Sequence, residues 1–138
     1  MSDPELLARV RGMDGGALAK KMGIEIIEAD ADRMVATMPV TGNTQPAGLL
    51  HGGASVVLAE QVGSMAATLA AGPGRTAVGI EVSATHLKAV REGVVTAVAT
   101  QISISRSLVT YLIDITNETG QRTCAARLTC MFRDRLSE

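Results

Sequence analysis

The sequence predicts an α+β domain: an antiparallel sheet built around one long helix. Two observations carry this. Residues 53–71 are apolar on nearly every side of a helix, with Val56, Val57, Leu58, Val62, Met65 and Leu69, and they end without ambiguity at Gly72-Pro73-Gly74. After Gly74 the character changes to runs rich in Val, Ile and Thr, each bounded by a turn signal.

Residues 4–11 read as a short amphipathic helix with Pro4 in its first turn. Gly12, Gly15 and Gly16 then loosen the chain. Ile24 to Glu28 and Arg33 to Val40 read as strands joined by the polar turn Ala29-Asp30-Ala31-Asp32. Gly42, Asn43, Pro46 and Gly48 make 41–50 a loop. The long helix follows; apolar all round, it must be enclosed by other structure, and no apolar run is expected to reach the length of a membrane span. The last four runs are 75–87, 94–104, 108–116 and 121–132. Their connections, Arg91-Glu92-Gly93, Ser103 to Ser107 and Asn117-Glu118-Thr119-Gly120, are short enough to make neighbours antiparallel. Cys124, Ala126, Leu128, Cys130 and Phe132 share one strand face, with Thr123, Arg127 and Thr129 on the other. All of 1–138 is expected to be one domain, with 1–20 an N-terminal helix and loop and 53–71 the central helix.

Composition excludes several classes of function. With 138 residues, 46% hydrophobic and 20% charged, the chain supports a full core and is not disordered. A net charge of −1, with Tyr111 and Phe132 as the only aromatics, argues against nucleic acid as a partner. The N-terminus, Met1-Ser2-Asp3-Pro4-Glu5, lacks a signal-peptide profile. Cys124 and Cys130 lie roughly 20 Å apart along one strand, too far for a disulfide. A cytoplasmic protein with reduced thiols and no membrane partner is expected.

The chemistry concentrates at the start of the long helix, in Gly48-Leu49-Leu50-His51-Gly52-Gly53-Ala54-Ser55, and at Glu60. A helix start offers free N–H groups and a positive dipole end, which polarise a carbonyl oxygen. A carboxylate on an apolar helix is a candidate nucleophile or general base. Together these suit hydrolysis of an activated acyl group. Gly52 and Gly53 leave room for close backbone approach. Ser64, four residues after Glu60, shares its helix face and could orient the carboxylate or a water. Gln45 could donate to the acyl oxygen. His86 shares strand parity with Val78, Ile80 and Val82, so a buried core role stands beside a substrate-binding one. Lys88, Arg91 and Arg106 are candidate phosphate ligands near strand ends, or a solvated basic face. Two histidines 35 positions apart make no zinc site, and no Gly-x-Ser-x-Gly elbow or phosphate loop is present.

This pattern resembles the hotdog-fold acyl-CoA thioesterases. It is similar in particular to the branch acting on aryl and small acyl-CoA, which includes 4-hydroxybenzoyl-CoA, phenylacetyl-CoA and 1,4-dihydroxy-2-naphthoyl-CoA thioesterases. The likeness covers roughly residues 20–133, with its specific core from Gln45 to Ser64. It implies that His51 and Gly52 occupy the helix-start positions where an N–H binds the thioester oxygen. It also implies that Glu60 is the catalytic carboxylate, that Gln45 and Ser64 flank the thioester, and that His86 matches a histidine of the dihydroxynaphthoyl-type enzymes. The expected activity is hydrolysis of a small aryl- or medium-chain acyl-CoA, with coenzyme A as part of the substrate and no separate cofactor. A non-catalytic acyl-CoA or acid binder is the alternative; a hydratase would need a His–Asp-type pair that the helix lacks. The resemblance alone implies tetramers.

Geometry adds a constraint. Gly52 and Glu60 are separated by about 12 Å of helix, more than a Glu side chain covers. One chain cannot polarise a carbonyl at Gly52 and attack it with its own Glu60. Two chains related by a two-fold axis can, giving an isologous dimer with shared sites. Met65 and Leu69, with Met22 or Met34, are expected to form the acyl pocket wall.

Overall fold

The computed structural model describes residues 3–135; Met1 and Ser2 of the N-terminal segment and residues 136–138 lie outside them. Two short helices, α1 (Pro4–Arg11) and α2 (Ala17–Met22), precede strands β1 (Glu25–Glu28) and β2 (Arg33–Pro39). The long helix α3 (Gly52–Ala71) follows, then β3 (Arg75–His86), β4 (Val94–Ile104), β5 (Leu108–Thr116) and β6 (Arg122–Asp134). The strands form one antiparallel six-stranded sheet in the order β1-β2-β4-β5-β6-β3. The expected α+β architecture, a hotdog arrangement of sheet around helix, is the one observed.

Three features depart from the sequence reading. The first is α2, six residues between Gly16 and Gly23, which closes on the left-handed Gly23. The second is the place of β3. Its short connection to β4 does not make the two strands neighbours. β3 pairs with β6 and forms one edge of the sheet, while β4 lies between β2 and β5.

The third is a bulge in β3. Gly79 pairs with Cys130 and Glu81 with Thr129, so Ile80 is an extra residue. Side-chain direction alternates along a strand, and one inserted residue reverses the parity. Gly79 therefore faces the helix with the Cys130 row, whereas beyond the bulge Val82, Ala84 and His86 do so, opposite Leu128, Ala126 and Cys124. His86 does not share a face with Val78 and Ile80, as uninterrupted alternation required; it is also exposed, which removes the core-histidine reading.

Helix α3 packs on the inner face of the sheet and touches β2 to β6. Its buried residues form one stripe: Ala54, Ser55, Leu58, Ala59, Val62, Gly63, Ala66, Ala67 and Ala71. Small residues let the helix lie close; at Gly63 a methyl group would come within 2.6 Å of Leu128 Cδ2. Leu58 and Leu128 are fully buried, and truncating such a side chain to Ala costs about 2–5 kcal/mol. The opposite stripe, Val56, Val57, Glu60, Gln61, Ser64, Met65, Thr68 and Leu69, is only half-buried. The chain's own sheet therefore wraps one side of the helix, not all of it. By length and composition α3 would suffice to cross a membrane, contrary to the expectation that no apolar run is that long; half of its apolar window is buried inside the domain. Cys124 and Cys130 are buried free thiols on β6, as their spacing requires.

The turn between β1 and β2 is held from within the core. Tyr111 on β5 is fully buried, and its hydroxyl donates to the Ala31 carbonyl over 2.6 Å. Burial pushes this phenol up to about 12, opposed by a hydrogen bond from Gln101. An unfolded chain titrates its tyrosine near pH 10 (roughly). The stabilisation is thus complete below that pH and falls as pH rises toward 12, by on the order of 2–3 kcal/mol. Tyr111→Phe is expected to lose about 1 kcal/mol at neutral pH and to lack this alkaline leg. Urea denaturation of both chains between neutral and alkaline pH measures the difference.

Candidate active site

The amino end of α3 is shaped by His51. Its backbone is extended, φ −66° and ψ 130°, and its Nδ1 accepts from the Gly53 N–H over 2.8 Å, capping the helix. That bond requires Nδ1 to be unprotonated. Ala54 and Ser55 donate to the His51 carbonyl. The Gly52 N–H has no partner among the described residues, so the cap satisfies the surrounding donors and leaves one free at the positive end of the helix. The two glycines serve different contacts. A Cβ at Gly52 would lie 2.8 Å from His86 Nε2, and one at Gly53 would lie 3.0 Å from His51 Nδ1. Gly53 is thus occupied by the cap, with its N–H not available to a substrate, contrary to its place among the substrate-binding candidates.

Gly52, His86, Gln45 and Lys88 line one cleft of about 390 Å³ together with Leu50 and Thr123. His86 arrives from the end of β3 and Gln45 from the preceding loop. That loop is fixed at several points. Asn43 Nδ2 donates to the carbonyls of Met22 and Pro39, His51 N–H to that of Asn43, and Leu50 N–H to that of Val90. The Gln45 side-chain oxygen accepts from the Ala47 N–H, and its amide nitrogen has no acceptor among the described residues. Among the described residues no carboxylate lines the cleft, and the exposed Lys88 adds a cation to its lining. Arg91 is exposed in the loop that follows Lys88. Arg106 is not brought to this cleft: it sits in the β4–β5 turn, its carbonyl bonded by Arg75 at the far end of β3 from His86.

Glu60 lies elsewhere on the helix. One carboxylate oxygen, Oε2, rests over Gly79 on β3, 2.6 Å from where a Cβ would stand. Cys130, the register partner of Gly79, is buried beside it. Burial pushes its thiol pKa up; a hydrogen bond with Ser64 lowers it, and the Glu60 charge raises it again. Glu60 and Ser64 thus share a face, as their spacing predicts, and meet over Gly79 and Cys130. The sequence reading missed both of these strand residues. The strand alternation places Cys130 on one face and its spacing from Cys124 excludes a disulfide, but neither signal brings it to Glu60. Gly79 carried a usable signal, because a lone glycine inside a β-branched run marks a bulge or a close approach.

Met65, one turn past Gln61, borders a second cleft of about 760 Å³ with Val10, Met13 and Ile26. Leu69 and Met22 pack against the core edge. Met34 is fully buried in the core and lines neither cleft, which corrects its place among the acyl-wall candidates. Among the described residues no three His, Cys, Asp or Glu side chains cluster as metal ligands.

The chain therefore presents a free backbone donor at a helix start and, about 12 Å further along the helix, a carboxylate on its half-buried face. Comparison with known proteins gives the family. Residues 47–124 match the Thioesterase superfamily. The proofreading thioesterase EntH of Cronobacter turicensis is 45% identical over 114 residues, 82% of this chain and 83% of that one. The 1,4-dihydroxy-2-naphthoyl-CoA hydrolase of Escherichia coli is 39% identical over 124 residues, covering 89% and 91%. The crystal structure of thioesterase HI1161 from Haemophilus influenzae superposes with a TM-score of 0.89 at 40% identity, over 96% of this chain and 93% of that one. With its helix-start donor and carboxylate carried on a shared fold, the chain belongs to the thioesterase superfamily and is a hotdog-fold thioester hydrolase.

Proposed function

We propose that the protein hydrolyses a small aryl- or medium-chain acyl-CoA to the free acid and coenzyme A, with Glu60 as the catalytic carboxylate. One observation carries this reading: the Gly52 N–H, without a partner among the described residues, opens a cleft at one end of α3, while Glu60 lies on the half-buried stripe of α3. The thioester oxygen accepts from the Gly52 N–H, and the helix dipole and the Gln45 amide stabilise the charge that grows there. The Glu60 of a second copy approaches the carbonyl carbon. It either adds to that carbon, expelling the coenzyme A thiolate and leaving an anhydride for water to open, or takes a proton from the water that attacks. Both routes consume one water and use no further cofactor. His51 sets the helix cap, Ser64 orients the carboxylate, His86 borders the carbonyl site, and Met65 walls the acyl group. Lys88 and Arg91 face the phosphates of coenzyme A.

The oligomer follows from surfaces one chain leaves bare. β3 is a long edge strand, with Ile80 53% exposed, and α3 leaves a half-buried stripe of its own. A second copy related by a two-fold axis covers both at once and brings each Glu60 toward the other Gly52. On the outer sheet face Val78, Met131 and Leu108 align in register and are exposed, a surface on which two such dimers join.

Two outcomes follow. Free-thiol release from benzoyl-CoA and octanoyl-CoA is expected in the wild type. In Glu60→Gln it is expected to fall about 10²–10⁴-fold in kcat with little change in KM. Thiol release by neither chain would instead favour an acyl-CoA binder, and equal release by both would take the catalytic role away from Glu60. Sedimentation is expected to give a tetramer for the wild type and a still-active dimer for Met131→Glu.

A further inference from the structure

We infer that Gly79 is a positioning residue for the reaction: the missing side chain on β3 is the seat of the Glu60 carboxylate. The inference rests on the reading of Glu60 as the catalytic carboxylate and extends it to a residue that touches no substrate.

The backbone does not demand glycine at this position. Gly79 is not among the glycines with positive φ, so an alanine fits its conformation. What excludes a side chain is the carboxylate. A Cβ would stand 2.6 Å from Glu60 Oε2 and 3.6 Å from its Cδ, while the next contact, Leu128 Cδ1, is an ordinary 3.4 Å. The atom that would give way is the end of a flexible side chain. The fold can therefore absorb the change, but the carboxylate cannot stay where it is. A displacement of about 1 Å in a reacting group can cost on the order of 10²-fold in rate.

The bulge makes the seat possible. Inward-facing positions run through Ala77 and Gly79 on one side of Ile80 and through Val82, Ala84 and His86 on the other. Gly79 is thus the last inward position before the parity changes. In an unbulged strand that put Gly79 under Glu60, residue 86 would face outward, away from Gly52. One extra residue lets the same strand support the carboxylate at one point and lay an imidazole against the carbonyl site at another. The floor beside the seat is the buried Cys130, the register partner of Gly79.

A shorter carboxylate should relieve the clash, and this separates positioning from structure. Wild type, Gly79→Ala, Glu60→Asp and the double variant are compared on whichever of benzoyl-CoA and octanoyl-CoA turns over faster, with thermal unfolding of each. Gly79→Ala is expected to unfold within a few degrees of the wild type, with kcat down about 10–10²-fold and KM within about threefold. Adding Glu60→Asp is expected to restore activity above that of Gly79→Ala, although alone it lowers kcat. A Gly79→Ala enzyme within twofold of wild type, or losses that simply add, would overturn the inference. If Gly79→Ala fails to fold, recovery of folding by Glu60→Asp reads the same contact, and absence of that recovery counts against it. Glu60→Gln runs alongside: full activity there would overturn the catalytic reading itself, independently of Gly79.

Discussion

A helix holds its amino-terminal donor and a carboxylate eight residues later at a fixed separation of about 12 Å, and the proposed chemistry of this chain depends on that distance. Backbone hydrogen bonds make α3 too stiff to bring the two together, and a Glu side chain leaning toward the amino end spans only part of the gap. Polarisation and attack on one carbonyl therefore require two helices. The half-buried stripe carrying Val56, Val57, Glu60, Ser64 and Met65 is the surface through which a second helix would supply what the first lacks. Under the proposed mechanism the catalytic apparatus and the oligomer interface would be the same surface.

The sheet does more than cover the other side of α3. Its edge strand β3 touches the helix at both functional points, under Glu60 through Gly79 and at Gly52 through His86. The bulge at Ile80 reconciles the two contacts with the two-residue period of a strand. His51 completes the arrangement at low cost. It satisfies the Gly53 donor with its own ring and so concentrates the free helix end on Gly52.

Most of the architecture was legible because it is written in local signals. Gly72-Pro73-Gly74 sets the end of α3, and the alternation through Cys124, Ala126, Leu128, Cys130 and Phe132 orients β6. Gly52, Glu60 and Ser64 stand out by their spacing on one helix, while the places of Gln45 and His51 at the site rest chiefly on the family resemblance. What the sequence concealed is non-local. The helix α2, at six residues, is too short to show a helical period. The place of β3 beside β6 depends on a pairing that skips two strands, which loop length does not report. The facing of His86 was misread because parity was carried through Ile80 as if the strand were regular. The contact between Glu60 and Gly79 joins residues on different elements and had no local trace beyond a glycine in a strand.

The sharing of sites between subunits is tested most directly by mixing two inactive chains. Glu60→Gln removes the carboxylate. Gly52→Pro removes the N–H at a helix position that tolerates proline, and its ring displaces His86. Unfolded together in equal amounts and refolded, half of the dimers should be mixed. Each mixed dimer would carry one intact site and one doubly defective site, giving about a quarter of wild-type thiol release. A mixture as inactive as its two components would contradict the account, because it would place donor and carboxylate within a single chain.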